Sequence, residues 1–212
     1  MKKAFFGALV LLLSLGLGAQ AADPRGDFEI KPGDRMLGNR NAPVVLIEYA
    51  SFSCSHCAAF HEEVVPALKK NYIDSGKVLF VLRQFPRNPE DALAEKMARC
   101  APAARYFDFA DRIFRDQAQW APGFGGPTSG IKNARAELTR IGQQLGLQPA
   151  AIARCMDSTA DDARINDVAE EAEKRYVLEG TPHLVINGKP QPSGGIPYAG
   201  LSRLLDRAAA GR

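Results

Sequence analysis

Hydrophobic and polar positions along this chain change rhythm three times, and each change marks a different kind of element. Val44-Val45-Leu46-Ile47-Glu48-Tyr49 is β-branched and mostly apolar, the pattern of a buried strand carrying one ionisable residue. Ser51-Phe52-Ser53 then turns the chain into Cys54. Cys57, Phe60, Val64 and Leu68 recur at three and four, which predicts a helix ending near Tyr72 and kinked at Pro66. Val78 to Leu82 reads as a second buried strand.

From there the helical period takes over. Leu93, Met97 and Cys100 share one face, as do Phe107, Ala110 and Phe114. A glycine- and proline-rich loop, Pro122 to Gly130, interrupts the helices. Ile131, Ala134, Leu138, Ile141 and Leu145 then predict a helix stopped by Gly146. Pro149 opens a short helix with Ile152 and Cys155, and a longer one carries Ile165, Val168, Ala172 and Tyr176. The strand pattern returns at His183 to Ile186, and Asn187-Gly188 after it is a strong hairpin signal. A last helix spans about Tyr198 to Ala209. The order strand, helix, strand, helical block, hairpin, helix implies an α/β core interrupted by a helical lobe.

The first residues change where this domain is expected to work. Lys2 and Lys3 precede an apolar run from Phe5 to Leu17, and Ala19-Gln20-Ala21 follows. That is the three-part pattern of a secretory signal, with cleavage expected before Ala22. The run falls short of the roughly 18 apolar residues a membrane span needs. The formal charge of +3 drops to about +1 without Lys2 and Lys3, and the basic residues are scattered, which argues against a nucleic-acid partner.

Export leads to an oxidising space, so the 4 cysteines acquire meaning. Cys54 and Cys57 form a Cys-x-x-Cys pair at a strand-to-helix junction. Only a thiolate attacks a disulfide, and free N–H groups at a helix start, with the positive end of its dipole, would stabilise one at Cys54. Cys57, one turn on, is placed to resolve a mixed disulfide. His56 could donate to the Cys54 sulfur or favour its charge. A low Cys54 pKa would make it a good leaving group, favouring donation of a disulfide. The competing reading is a metal site, for which His183 could join Cys54 and Cys57 in binding copper or zinc. Thr181-Pro182, just before an apolar strand, marks a special bond or a sheet edge.

Val44 to Tyr49, Cys54-Ser55-His56-Cys57, Phe60, Glu62-Glu63-Val64, Gly180-Thr181-Pro182 and Asn187-Gly188 together resemble the DsbA family over roughly Leu37 to Ala209. The resemblance implies a thioredoxin fold with an inserted all-helical domain. Its parts would be a signal peptide at 1–21, thioredoxin-like segments at 22–88 and 177–212, and a helical insertion at 89–176. It also implies that Cys54 is the nucleophile, Cys57 the resolving cysteine, and Pro182 a cis-proline packed against the pair. The Thr181 backbone would bind an extended substrate as a strand adds to an edge. Glu48 matches the family's buried acid, where it would titrate high and could move a proton to or from Cys57; an outward-facing strand residue is its alternative. His61 reads as a helix-surface residue without a role.

The same resemblance implies a monomeric periplasmic oxidase without a cofactor. It would introduce disulfides into reduced, newly exported proteins, and a quinone-linked, DsbB-like membrane thiol oxidase would reoxidise it. An isomerase or reductase of the same fold is the nearest alternative, and a copper carrier a more distant one. Dimeric isomerases resembling this family carry an N-terminal dimerisation domain, for which Ala22 to about Pro43 is too short. Ser55 departs from the proline common at its position, which leaves the oxidising strength open. Cys100 and Cys155 resemble the second disulfide of a subgroup. Lying on inward helix faces, they are expected to pair as a structural bond in the helical lobe; two unpaired core thiols are the alternative.

Overall fold

The computed structural model describes residue 23, residues 25–122 and residues 131–211. The expected leader, its cleavage point before Ala22 and the stretch 123–130 of the glycine- and proline-rich loop lie outside the described residues. Strands β1 (Arg35–Leu37), β2 (Val44–Ala50) and β3 (Val78–Gln84) precede the helical block, and β4 (His183–Ile186) and β5 (Lys189–Pro190) follow it. The described residues form a five-stranded sheet in the order β1-β3-β2-β4-β5. β2 and β3 run parallel; the other pairings are antiparallel.

Every residue of β2 and β3 is buried, because apolar layers cover both sheet faces. Alternation divides their side chains. Leu46, Ala50, Phe80, Leu82 and Leu184 enter one core, and Val45, Ile47, Tyr49, Val81 and Val185 the other. Glu48 points to the same side as Leu46 and Ala50, under the helix that begins after Cys54. Each fully buried Val, Leu, Ile or Phe contributes roughly 1.5–3 kcal/mol, so the central strands are held chiefly by packing.

The helix expected from Cys54 to Tyr72 is broken into α1 (Ser55–Glu63), α2 (Val65–Leu68) and a π-helical turn (Lys69–Ile73). Pro66 falls in the first turn of α2, where its missing N–H costs nothing. The insertion comprises α3 (Pro89–Arg99), α4 (Tyr106–Arg115), α5 (Gln117–Trp120), α6 (Ile131–Gln144), α7 (Pro149–Asp157) and α8 (Ala160–Tyr176). Asn88 caps α3 by accepting from the Asp91 N–H at 2.9 Å. Gly142 lets α6 and α7 approach closely, since a Cβ there would stand 2.8 Å from Ile152 Cδ1. A disulfide joins Cys100, at the end of α3, to Cys155 in α7.

Asn187 and Gly188 both take positive φ, +47° and +77°, as a two-residue hairpin between β4 and β5 requires. Helix α9 (Tyr198–Ala209) closes the fold with Leu201 and Leu205 buried. Strand β1 leaves no pattern in the sequence, since three residues are too few to show alternation; among the described residues it pairs with β3 alone. The result is a thioredoxin fold interrupted by helices. Among the described residues no helix is long and apolar enough to cross a membrane.

Candidate active site

The junction from β2 to α1 is held by the insertion. Asp91 in α3 accepts from Ser51 Oγ at 2.7 Å, from the Ser53 N–H at 2.5 Å and from the Arg87 N–H at 2.9 Å. Gln117 in α5 donates to the carbonyl oxygens of Phe52 at 2.5 Å and Cys54 at 3.0 Å. These bonds fix Cys54 as the N-cap of α1, in extended conformation, with the helix starting at Ser55.

Cys54 and Cys57 are both free and buried, yet their environments push them apart. The Cys54 pKa is lowered to about 4, chiefly by a hydrogen bond from the Cys57 thiol. Burial opposes this; the Thr181 side chain and the backbone N–H groups of Cys57 and His56 add to the lowering. Cys57 lies well above the ordinary thiol range because it is buried, donates to Cys54 and faces the negative charge of Glu48. Near neutral pH the pair is therefore one thiolate and one thiol, the asymmetry that exchange chemistry needs.

His56 contributes differently from the expectation. Its ring is exposed and makes no hydrogen bond to Cys54 among the described residues; its help comes through the backbone N–H at the helix start. The Thr181–Pro182 peptide bond is cis, and the Thr181 carbonyl oxygen lies 3.2 Å from Cys54 Sγ. An open cavity of about 530 Å³ adjoins the sulfur, lined among others by His56, Phe85, Arg87, Glu179 and Thr181.

Glu48 is fully buried beneath the pair, flanked in the sheet by Leu82 and Leu184. Its partner corrects the sequence reading of His61 as a surface residue. The His61 ring is buried, with Nε2 3.0 Å from Glu48 Oε2 and Nδ1 3.4 Å from Asp111 Oδ1. Phe114 stacks on it at 4.2 Å between ring centres. Burial disfavours an imidazolium, but the charge of Glu48 and the hydrogen bonds to Asp111 and Glu48 outweigh it, raising the pKa to about 9. The i, i+4 spacing from Cys57 carried the signal for His61, since it puts both residues on one helix face. Asp91 and Gln117 had no comparable signal.

Among the described residues no group of three or more His, Cys, Asp or Glu side chains could hold a metal ion. His183 lies on β4 with Nδ1 3.0 Å from Ser193 Oγ. The cysteines of the second disulfide are half-buried rather than enclosed, because the bond sits where α3 ends against α7.

A thioredoxin family profile matches residues 31–207. A candidate protein-disulfide oxidoreductase of Rickettsia typhi is 33% identical over 182 residues, covering 85% of this chain and 64% of that protein. This chain thus spans slightly under two thirds of that relative's length. Among solved structures, α-DsbA1 of Wolbachia pipientis superposes with a TM-score of 0.76 at 26% identity, covering 86% of this chain and 94% of that one. A protein-disulfide isomerase of Novosphingobium aromaticivorans gives 0.73 at 26% identity, covering 84% and 99%. The chain belongs to the thioredoxin family and, within that superfamily, to the DsbA family.

Proposed function

We propose that the protein is a periplasmic thiol–disulfide oxidoreductase that introduces disulfides into exported proteins. The observation that carries this reading is the free Cys54–Cys57 pair at the start of α1, with Cys54 Sγ 3.2 Å from the carbonyl oxygen that precedes the cis Pro182; the opposed shifts of the two thiols agree with it. A substrate thiolate attacks Cys54 Sγ in the oxidised pair, and Cys57 leaves and takes up a proton. A second substrate thiolate then attacks the mixed disulfide, and Cys54 leaves as a stable thiolate. Electrons pass from the substrate dithiol to the protein, and a quinone-linked membrane thiol oxidase returns the pair to its disulfide.

In this reading Thr181 and Pro182 receive an extended substrate beside Cys54, and Glu48 exchanges the Cys57 proton. The residues 22–88 and 177–212 form the redox part, and 89–176 the lobe that braces it. The leader at 1–21 accounts for export, and the protein acts as a monomer. Donation is favoured over isomerisation because a thiolate with a pKa of about 4 leaves readily and holds a substrate weakly.

Partner trapping tests the assignment. Cys57→Ala cannot form the Cys54–Cys57 disulfide, so its Cys54 thiolate should attack disulfides of exported proteins and accumulate as mixed disulfides that Cys57 is no longer there to resolve. Accumulation with Cys54→Ala instead would reverse the roles, and none with either variant would refute the function.

A further inference from the structure

The pairing of Glu48 with His61 leaves one atom unexplained. Glu48 Oε2 is held by the imidazole, while Oε1 is fully buried without a hydrogen-bond partner among the described residues. Cys57, the nearby thiol whose proton must come and go, is fully buried too. A proton released there has no direct path to water. On the far side of Glu48, His61 continues to Asp111, whose side chain is 50% exposed. A cavity of about 220 Å³ opens at that point, lined by Ala58, His61, Glu62, Asp111, Phe114 and Arg115 among others.

We propose that His61 and Asp111 form the proton route that couples Cys57, through Glu48, to solvent at this second cavity. The inference rests on the oxidoreductase reading and adds positioning residues to it. Reoxidation starts with Cys54 in a mixed disulfide with the oxidant: the Cys57 S–H bond breaks, its proton passes to Glu48, whose Oε1 has no hydrogen-bond partner among the described residues, and the thiolate attacks Cys54 Sγ. The S–S bond forms as the oxidant's thiolate departs. Neutralising Glu48 removes the charge that sustains the buried imidazolium, which then releases its Nδ1 proton through Asp111 to water. One proton enters the Glu48–His61 pair and one leaves it. During substrate oxidation the flow reverses: Glu48 returns a proton to the Cys57 thiolate, and His61 is reloaded at Nδ1.

Glu48 from β2 and Asp111 from α4 take opposite nitrogens of His61, Glu62 and Arg115 line the cavity beside it, and Phe80 and Phe114 confine the ring. Groups on opposite ring nitrogens are what a proton relay through an imidazole requires.

A two-step exchange assay tests the route. Reduced full-length protein is mixed with a short peptide bearing an aromatic disulfide, quenched in acid, and resolved by intact mass into the Cys54 mixed disulfide and the Cys54–Cys57 disulfide. His61→Gln and Asp111→Asn should form the mixed disulfide at the parent rate. His61→Gln should slow its resolution by about 10²-fold, the scale of proton-transfer catalysis. Asp111→Asn should slow it less and shift its pH profile. If His61→Gln does not fold, Asp111→Asn at its half-exposed position decides. Unchanged resolution rates and profiles in the folded variants, even with lowered stability, overturn the route. Failure of the parent to form the mixed disulfide overturns the oxidoreductase reading instead.

Discussion

Gln117 donates through one side-chain nitrogen to the carbonyl oxygen of Cys54, bridging 63 positions of sequence from the insertion to the reactive cysteine. With the 2.5 Å bond to Phe52, it ties two carbonyls of a buried turn to the insertion. The insertion is therefore part of the active-site scaffold.

Gln117→Ala should reduce unfolding stability by about 1–3 kcal/mol, the cost of leaving the buried Phe52 carbonyl unpaired, while the Cys54 carbonyl keeps the Ala58 N–H at 3.1 Å. Urea denaturation of the reduced protein checks this. A smaller loss would mean that water or a shifted turn replaces the bonds.

The two cysteines should separate in alkylation. Rates at Cys54 should follow a titration centred near pH 4, with Cys57 unreactive until strongly alkaline pH. Cys57→Ala should raise the Cys54 midpoint by about 1–2 units, because it removes a hydrogen bond to a charged group worth roughly 1.5–3 kcal/mol. His56→Ala should raise it much less, since the backbone N–H remains. A larger effect of His56→Ala would restore a role for the ring.

This division between ring and backbone shows what the sequence could convey. β2, β3, β4, the Asn187–Gly188 hairpin and α9 were legible because periodicity and turn chemistry are local. Cys54, Cys57 and Pro182 were legible as spaced motifs. His61 was misread because a polar residue beside Glu62 and Glu63 looks solvated until Phe114 and Asp111 arrive from α4, about 50 positions later. Asp91 and Gln117 act across similar distances. Strand β1 is defined only by its neighbour.

The His61–Glu48 pair should leave a pH signature in stability. The folded-state pKa of His61, about 9, lies above its unfolded value near 6.5. Its contribution is thus fully present below about 6.5 and is lost as pH rises through 9. His61→Leu should cost about 3–5 kcal/mol near pH 6.5 by leaving Glu48 without its partner. That difference should shrink steadily towards pH 10 in parallel denaturation series. A difference independent of pH would contradict a charged His61.

The Cys100–Cys155 bond closes a separation of 55 residues and lies in the insertion, apart from the reactive pair. Replacing both cysteines by alanine should cost up to about 4 kcal/mol in the chain-entropy account, without altering the Cys54 alkylation midpoint. Mild dithiothreitol followed by denaturing alkylation should label two cysteines. Labelling of all four under conditions that just reduce Cys54–Cys57 would point to a second redox-active pair.

A protein that donates disulfides must hold its own disulfide at an oxidising potential, which the reduction potential of Cys54–Cys57 reports. Stabilising the Cys54 thiolate favours the reduced pair and makes the disulfide a stronger oxidant. Equilibration in glutathione buffers at pH 7, read by intact mass, should give a potential less negative than about −200 mV. A value at or below about −270 mV, the range of a thioredoxin reductant, would contradict the oxidase assignment.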